Sequence, residues 1–195
     1  EVSMSKRVII GLLITSLLIF AAGNAFAQAV DATDTVDVNI EVEEVLAIEL
    51  EGELVATFVV GGSPAAGALP EIDSTGATAS YLQYTSTVAA AQTRSIDVSS
   101  NALPPAGLKL TIKAGPPTGH GGVGDPVAGG VTIDSTYTLN ADLPLVSGIT
   151  SCATGIGATQ GAPIYYVLDI DEATFASMVT AVAANVMLLT FTITD

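Results

Sequence analysis

The chain holds one histidine, His120, and one cysteine, Cys152, so any Ser-His-Asp triad must use the first and any thiol chemistry the second. A Ser-His-Asp mechanism needs its histidine held in one orientation by a third group. His120 stands between Gly119 and Gly121, where little can fix a ring, and it reads as a solvent-exposed loop histidine. Cys152 lies in Ser151-Cys152-Ala153-Thr154-Gly155 with no neighbouring base to lower its pKa. We read it as a buried structural thiol, the alternative being an intermolecular disulfide in an exported protein. One Cys and one His cannot build a Cys/His zinc cage. Gly119-His120-Gly121-Gly122-Val123-Gly124 matches the dinucleotide pattern Gly-x-Gly-x-x-Gly letter for letter. That motif works only where a helix starts and turns its amides to a pyrophosphate. Asp125-Pro126 and Gly129-Gly130 follow instead, so a flexible Gly-rich hairpin loop is expected.

Oxygen donors are more plentiful. Asp169, Asp171 and Glu172 form a weak calcium candidate, without the Asp-x-Asp-x-Asp-Gly loop and distal Glu of an EF-hand. The competing reading is a solvated acidic turn. Paired carboxylates can cleave glycosides across a sugar cleft, but such clefts use aromatic platforms and Trp is absent. No catalytic residue and no cofactor is expected.

The acids dominate the composition: twenty Asp and Glu against five Lys and Arg, a formal net charge of −15. Such a chain repels a phosphate backbone, which excludes nucleic acid as a partner. Glu1-Val2-Ser3 reads as upstream read-through, with Met4 as the start. Lys6-Arg7, the charge-free run Val8–Ala22 and Ala25-Phe26-Ala27 then make the basic, apolar and small-residue parts of a secretory signal, cleaved after Ala27. The apolar run falls short of the ~20 residues a spanning helix needs. Contact with a membrane is therefore expected only during export, to periplasm, cell surface or medium. Residues 28–195 remain as one domain whose only bases are Arg94, Lys109 and Lys113. Nine acids (Asp31, Asp34, Asp37, Glu41, Glu43, Glu44, Glu49, Glu51 and Glu53) crowd its first stretch.

That stretch alternates. Val36, Val38, Ile40 and Val42, then Leu46, Ile48 and Leu50, fall on even positions between polar residues. A period of two predicts a half-buried strand, single or kinked at Glu44. Leu54–Val60 is apolar on both parities and predicts a more fully buried strand. Further strands are expected at Ser80–Val88, Arg94–Val98, Leu108–Ala114, Val131–Leu139, Ile164–Ile170 and Met187–Thr194. Gly, Pro, Ser and Asp punctuate them. Only Asp171–Ala184 permits a turn of helix. The fold class is all-β: a single β-sandwich of about eight mainly antiparallel strands, immunoglobulin-like or pilin-like, after a cleavable signal peptide.

Five segments carry a resemblance: Thr35–Val42, Val45–Leu50, Tyr81–Ser86, Gly148–Cys152 and Leu189–Asp195. In their order and alternation the chain resembles small exported β-sandwich proteins of Gram-negative bacteria, among them fimbrial-type subunits and surface proteins of Bacteroidetes. The resemblance implies a non-catalytic surface or appendage protein, pilin-like or adhesion-related. Self-association or contact with other surface subunits would run through β-strands, with Val36, Val38, Ile40 and Val42 as the pairing residues. The alternative is a secreted binding module for glycan or calcium, using the Gly-rich loop 119–130 and the Asp169–Glu172 turn.

Overall fold

The structure is a computed structural model. It describes residues 39–195 except 53, 63, 77–79 and 180–184. The expected leader and the pairing candidates Val36 and Val38 lie outside the described residues. The chain divides into Glu1–Glu41 and Val42–Asp195. Of the first unit Asn39, Ile40 and Glu41 are described; none is in a strand and all three are exposed.

The second unit carries strands β1 (Leu46–Gly52), β2 (Thr57–Gly61), β3 (Glu71–Gly76), β4 (Ser80–Ser86), β5 (Arg94–Ser100), β6 (Leu108–Ala114) and β7 (His120–Gly121). It continues with β8 (Asp125–Pro126), β9 (Val131–Ile133), β10 (Leu143–Ile149), β11 (Cys152–Ala153), β12 (Ala162–Ile170) and β13 (Leu189–Thr194). Among the described residues all pairings are antiparallel. A seven-stranded sheet runs β7-β11-β4-β12-β6-β9, with β1 also on β4; a four-stranded sheet runs β13-β5-β10-β8; β2 and β3 form a small sheet of their own.

The two larger sheets pack over one core. Leu82, Tyr84, Leu110, Ile112, Ile133 and Ile164 of the first meet Ile96, Val98, Leu145, Val146, Ile149 and Ile193 of the second. Alternation delivers these side chains to one face, as in β5, where Arg94, Ile96, Val98 and Ser100 are buried and the residues between them are not. Each fully buried aliphatic side chain contributes about 1.5–3 kcal/mol, so this shared core outweighs any surface contact.

One charge is buried among the described residues, Arg94, at the end of β5. Its Nε donates to Asp195 Oδ1 (2.7 Å), an Nη2–Glu44 ion pair adds a second carboxylate, and Nη1 reaches Ser86 Oγ (3.2 Å) and the Thr87 carbonyl (3.3 Å). The residue ties the segment leading into β1 to β4 and to the end of β13, holding the two sheets together at one edge.

Several expectations are corrected. Among the described residues of the 36–50 alternation, the strand begins only at Leu46. Leu54–Val60 is less buried than its composition predicts: Leu54, Val55 and Val59 are 60–70% exposed, while Phe58 packs on the core. The reason is that β2 pairs with β3 outside the larger sheets. Strand β10 escapes the sequence pattern because its register on β5 shifts twice, between Pro144 and Val146 and between Val146 and Ile149. Bulges break the period of two. Val131–Leu139 is a strand only to Ile133. The chain then crosses to the other sheet, pinned by Tyr137, whose hydroxyl donates to the Ala141 carbonyl (2.6 Å) and accepts from Ser100 N–H (2.9 Å). Within Asp171–Ala184 the described helix is a single 3₁₀ turn, Phe175–Ser177.

Candidate functional site

The lone histidine and lone cysteine prove to be neighbours. In the β7–β11 pair, Cys152 lies opposite Gly121 and Ala153 opposite His120. Directly opposed residues share a face and successive residues alternate, so His120 and Cys152 point to opposite sides of the sheet. His120 is exposed with Ala153; Cys152 is buried with Ser86, its partner on β4. Burial pushes the Cys152 thiol above its ordinary pKa, which is the wrong direction for a nucleophile. Adjacent in the ladder, the two residues do not form a dyad. Cys152 is a buried thiol with no disulfide partner among the described residues of its own chain.

The Gly-rich stretch is not a loose hairpin. It carries the chain from β7 in one sheet to β8 in the other. Thr150 N–H donates to the Gly122 carbonyl (2.8 Å), and the Tyr84 hydroxyl donates to the Val123 carbonyl (2.5 Å). Gly121 has φ +84, and a Cβ there would collide with the Ser151 carbonyl oxygen, so only glycine lets β7 lie this close. Both ends of the stretch are held in ladders and its middle in hydrogen bonds. It has no helix to face a phosphate.

The acids of the calcium candidate separate by role. Asp169 sits on β12 opposite Lys109 of β6. Asp171 closes a turn, its Oδ2 accepting from Thr174 Oγ1 (2.7 Å) and its Oδ1 from Ala173 N–H (3.3 Å). Glu172 is exposed. Among the described residues no three Asp, Glu, His or Cys side chains are grouped so that they could hold a metal ion.

A different place has the features of a recognition site. Strand β12 pairs with β6 along Ile164–Ile170 and, among the described residues, with β4 along Ala162–Ile164. The Pro163 carbonyl accepts from Gly115 N–H (2.7 Å), and Asp171 N–H donates to the Gly107 carbonyl (2.8 Å). Odd positions of β12 thus turn their backbone groups to β6. Even positions turn theirs the other way. Tyr166, Leu168 and Ile170 therefore present N–H and C=O groups along a side where no strand is paired among the described residues. Tyr166 and Leu168 place their side chains against the core, and burial raises the Tyr166 phenol pKa, with a Ser80 hydrogen bond opposing. Across from this edge stand Leu69, Pro70, Ile72 and Ser74, leaving an open groove of about 490 Å³.

None of the groove was foreseen. The alternation of Tyr166, Leu168 and Ile170 announces a strand, but a sequence does not say on which side that strand lacks a neighbour. The wall Leu69–Ser74 carries no pattern at all. Of the expected pairing residues, Ile40 and Val42 are 83% and 78% exposed and outside any strand. No protein-family model, curated protein or solved structure matches the chain.

Proposed function

We propose that the protein is a non-catalytic exported subunit of a surface or appendage structure, an immunoglobulin-like or pilin-like β-sandwich that assembles through β-strand contacts. The observation that carries this reading is a complementary pair of vacancies. Among the described residues the backbone edge at Tyr166, Leu168 and Ile170 has no strand paired beside it, and the strand-patterned residues Ile40 and Val42 are in no strand. In this reading the segment Val36–Val42 of one copy adds to the β12 edge of the next. Main-chain hydrogen bonds supply affinity, and Val36, Val38, Ile40 and Val42 supply the alternate side chains. In a strand so paired the acids between them, Asp37 and Glu41, would fall on the opposite face and discourage indiscriminate pairing.

The test is a double substitution, Ile40→Asp with Val42→Asp. Both side chains are exposed, so the melting curve should stay where it is. Higher-order assembly, followed by sedimentation and by electron microscopy of cell-surface material, should be lost. Assembly at the wild-type level would rule the reading out.

A further inference from the structure

The free edges of the sheets differ in how well they are protected. A sheet edge is a template for another strand, and natural proteins blunt it by shortness, proline, bulges or charge. Among the described residues, β7 and β8 have two residues each and β8 contains Pro126; β9 has three. Strand β1 turns Ile48 and Leu50 to the core and Glu49 and Glu51 to its other face. The small sheet carries Glu71 and Asp73, and its register shifts between Thr57 and Val59.

Strand β13 has none of these defences. It pairs with β5 in unbroken register from Leu189↔Ser100 to Thr194↔Ser95, and Leu-Thr-Phe-Thr-Ile-Thr contains neither charge nor proline. Asn101 N–H donates to the Leu188 carbonyl (3.2 Å), so even positions bond to β5. The backbone groups of Leu189, Phe191 and Ile193 consequently face the side on which no strand is paired among the described residues. The two nearby acids are occupied: Asp97 accepts from the hydroxyls of Ser95 (3.1 Å) and Thr194 (3.0 Å), and Asp195 is held by Arg94.

We propose that β13 pairs antiparallel with β13 of a second copy about a two-fold axis at Phe191. The strand is its own complement. Phe191 meets Phe191 of the second copy, Leu189 meets Ile193, and the exposed Thr190 meets Thr192, a favourable cross-strand pair. Leu189, Phe191 and Ile193 each contribute one donor and one acceptor. The two four-stranded sheets then become one continuous sheet. Charge selects the same edge, because two copies each at −15 repel wherever their acids face each other and β13 contributes none. This contact is isologous and closes on itself, whereas a segment added to the next copy's groove is heterologous and open-ended. It holds whether or not the groove is ever filled.

Light scattering across a concentration series reads the result. The wild-type protein should dimerise. Thr190→Glu with Thr192→Glu sets like charges opposite each other at both meetings and should weaken the dimer about tenfold or more. Thr190→Glu with Thr192→Lys sets unlike charges opposite each other and should restore it, which a merely destabilised strand would not do. The double aspartate at Ile40 and Val42 should leave the dimer unchanged, separating this contact from the groove. A wild-type monomer at every concentration overturns the proposal, as does a dimer indifferent to the first variant or lost equally in the second.

Discussion

Tyr84 shows how much one side chain is asked to hold. It is 2% exposed, lies beside Cys152, and its hydroxyl fastens the Gly-rich crossing through the Val123 carbonyl. Burial pushes its phenol pKa far up, with the neighbouring thiol adding to the shift, and burial also raises Cys152 and Tyr166. Each holds its proton to higher pH in the folded chain than it does once unfolded. The unfolded state then binds fewer protons, so stability declines with rising pH. The decline sets in as pH approaches the ordinary thiol value of 9.0 and steepens toward and past the phenol value of 10.0; near neutral pH these groups add almost no slope. Tyr84→Phe should lose about 1–2 kcal/mol at neutral pH by orphaning the Val123 carbonyl. It should also show a shallower alkaline decline. Chemical denaturation from pH 7 to 11 measures both, and an unchanged alkaline slope would count against the assignment.

Among the elements, β11 and β12 are in effect one strand interrupted. Cys152 and Ala153 lie opposite Ser86 and Thr85, and Ala162 resumes opposite Leu82 on the same side of β4. Between them Thr154 keeps its place on Tyr84: its N–H donates to the Tyr84 carbonyl (3.0 Å), and its Oγ1 accepts from Tyr84 N–H (2.9 Å). Residues 155–161 loop out over Gln83, whose Nε2 donates to the Gly157 carbonyl (2.6 Å). Gly161 brings the chain back with φ +96, and a Cβ there would strike the Leu82 carbonyl oxygen. Gly161→Ala should cost about 1–3 kcal/mol and loosen the start of β12. Thermal melts and amide exchange at Ala162–Ile164 would show it. Elements built on unbroken alternation, such as β6 at Leu108–Ala114 and β13, are legible in the sequence. β10 is not, because its bulges shift the parity, and β3 is not, because Glu71–Gly76 has no apolar alternation and is in a strand only beside β2.

At the scale of the molecule the charge is the governing term. Among the described residues the ion pairs are those of Arg94 with Glu44 and Asp195, against twenty acids in the chain. Salt weakens both the pairs and the repulsion. Arg94 is buried and salt screens its pairs only from the side of their exposed partners, whereas most acids among the described residues face solvent, so the relief of repulsion wins. Screening falls from about 10 Å at 0.1 M to about 3 Å at 1 M. Over that range the melting temperature should rise by about 2–4 °C for each kcal/mol of repulsion removed. A fall would mean that the Arg94 cluster outweighs the field of the whole chain.

The sequence alone determined the all-β class, most of the strands and that its Gly-x-Gly-x-x-Gly stretch lacks the helix a nucleotide motif needs, because alternation and helix requirements are local. It also marked His120 as the one histidine a Ser-His-Asp triad could use and Cys152 as the one thiol. Tertiary structure decided that the two face opposite sides of one sheet, that the Gly-rich stretch is a held crossing, and that Leu54–Val60 stands largely exposed. It decided too which strands keep an open edge. An edge is a property of what does not lie beside a strand, and no residue encodes its missing neighbour.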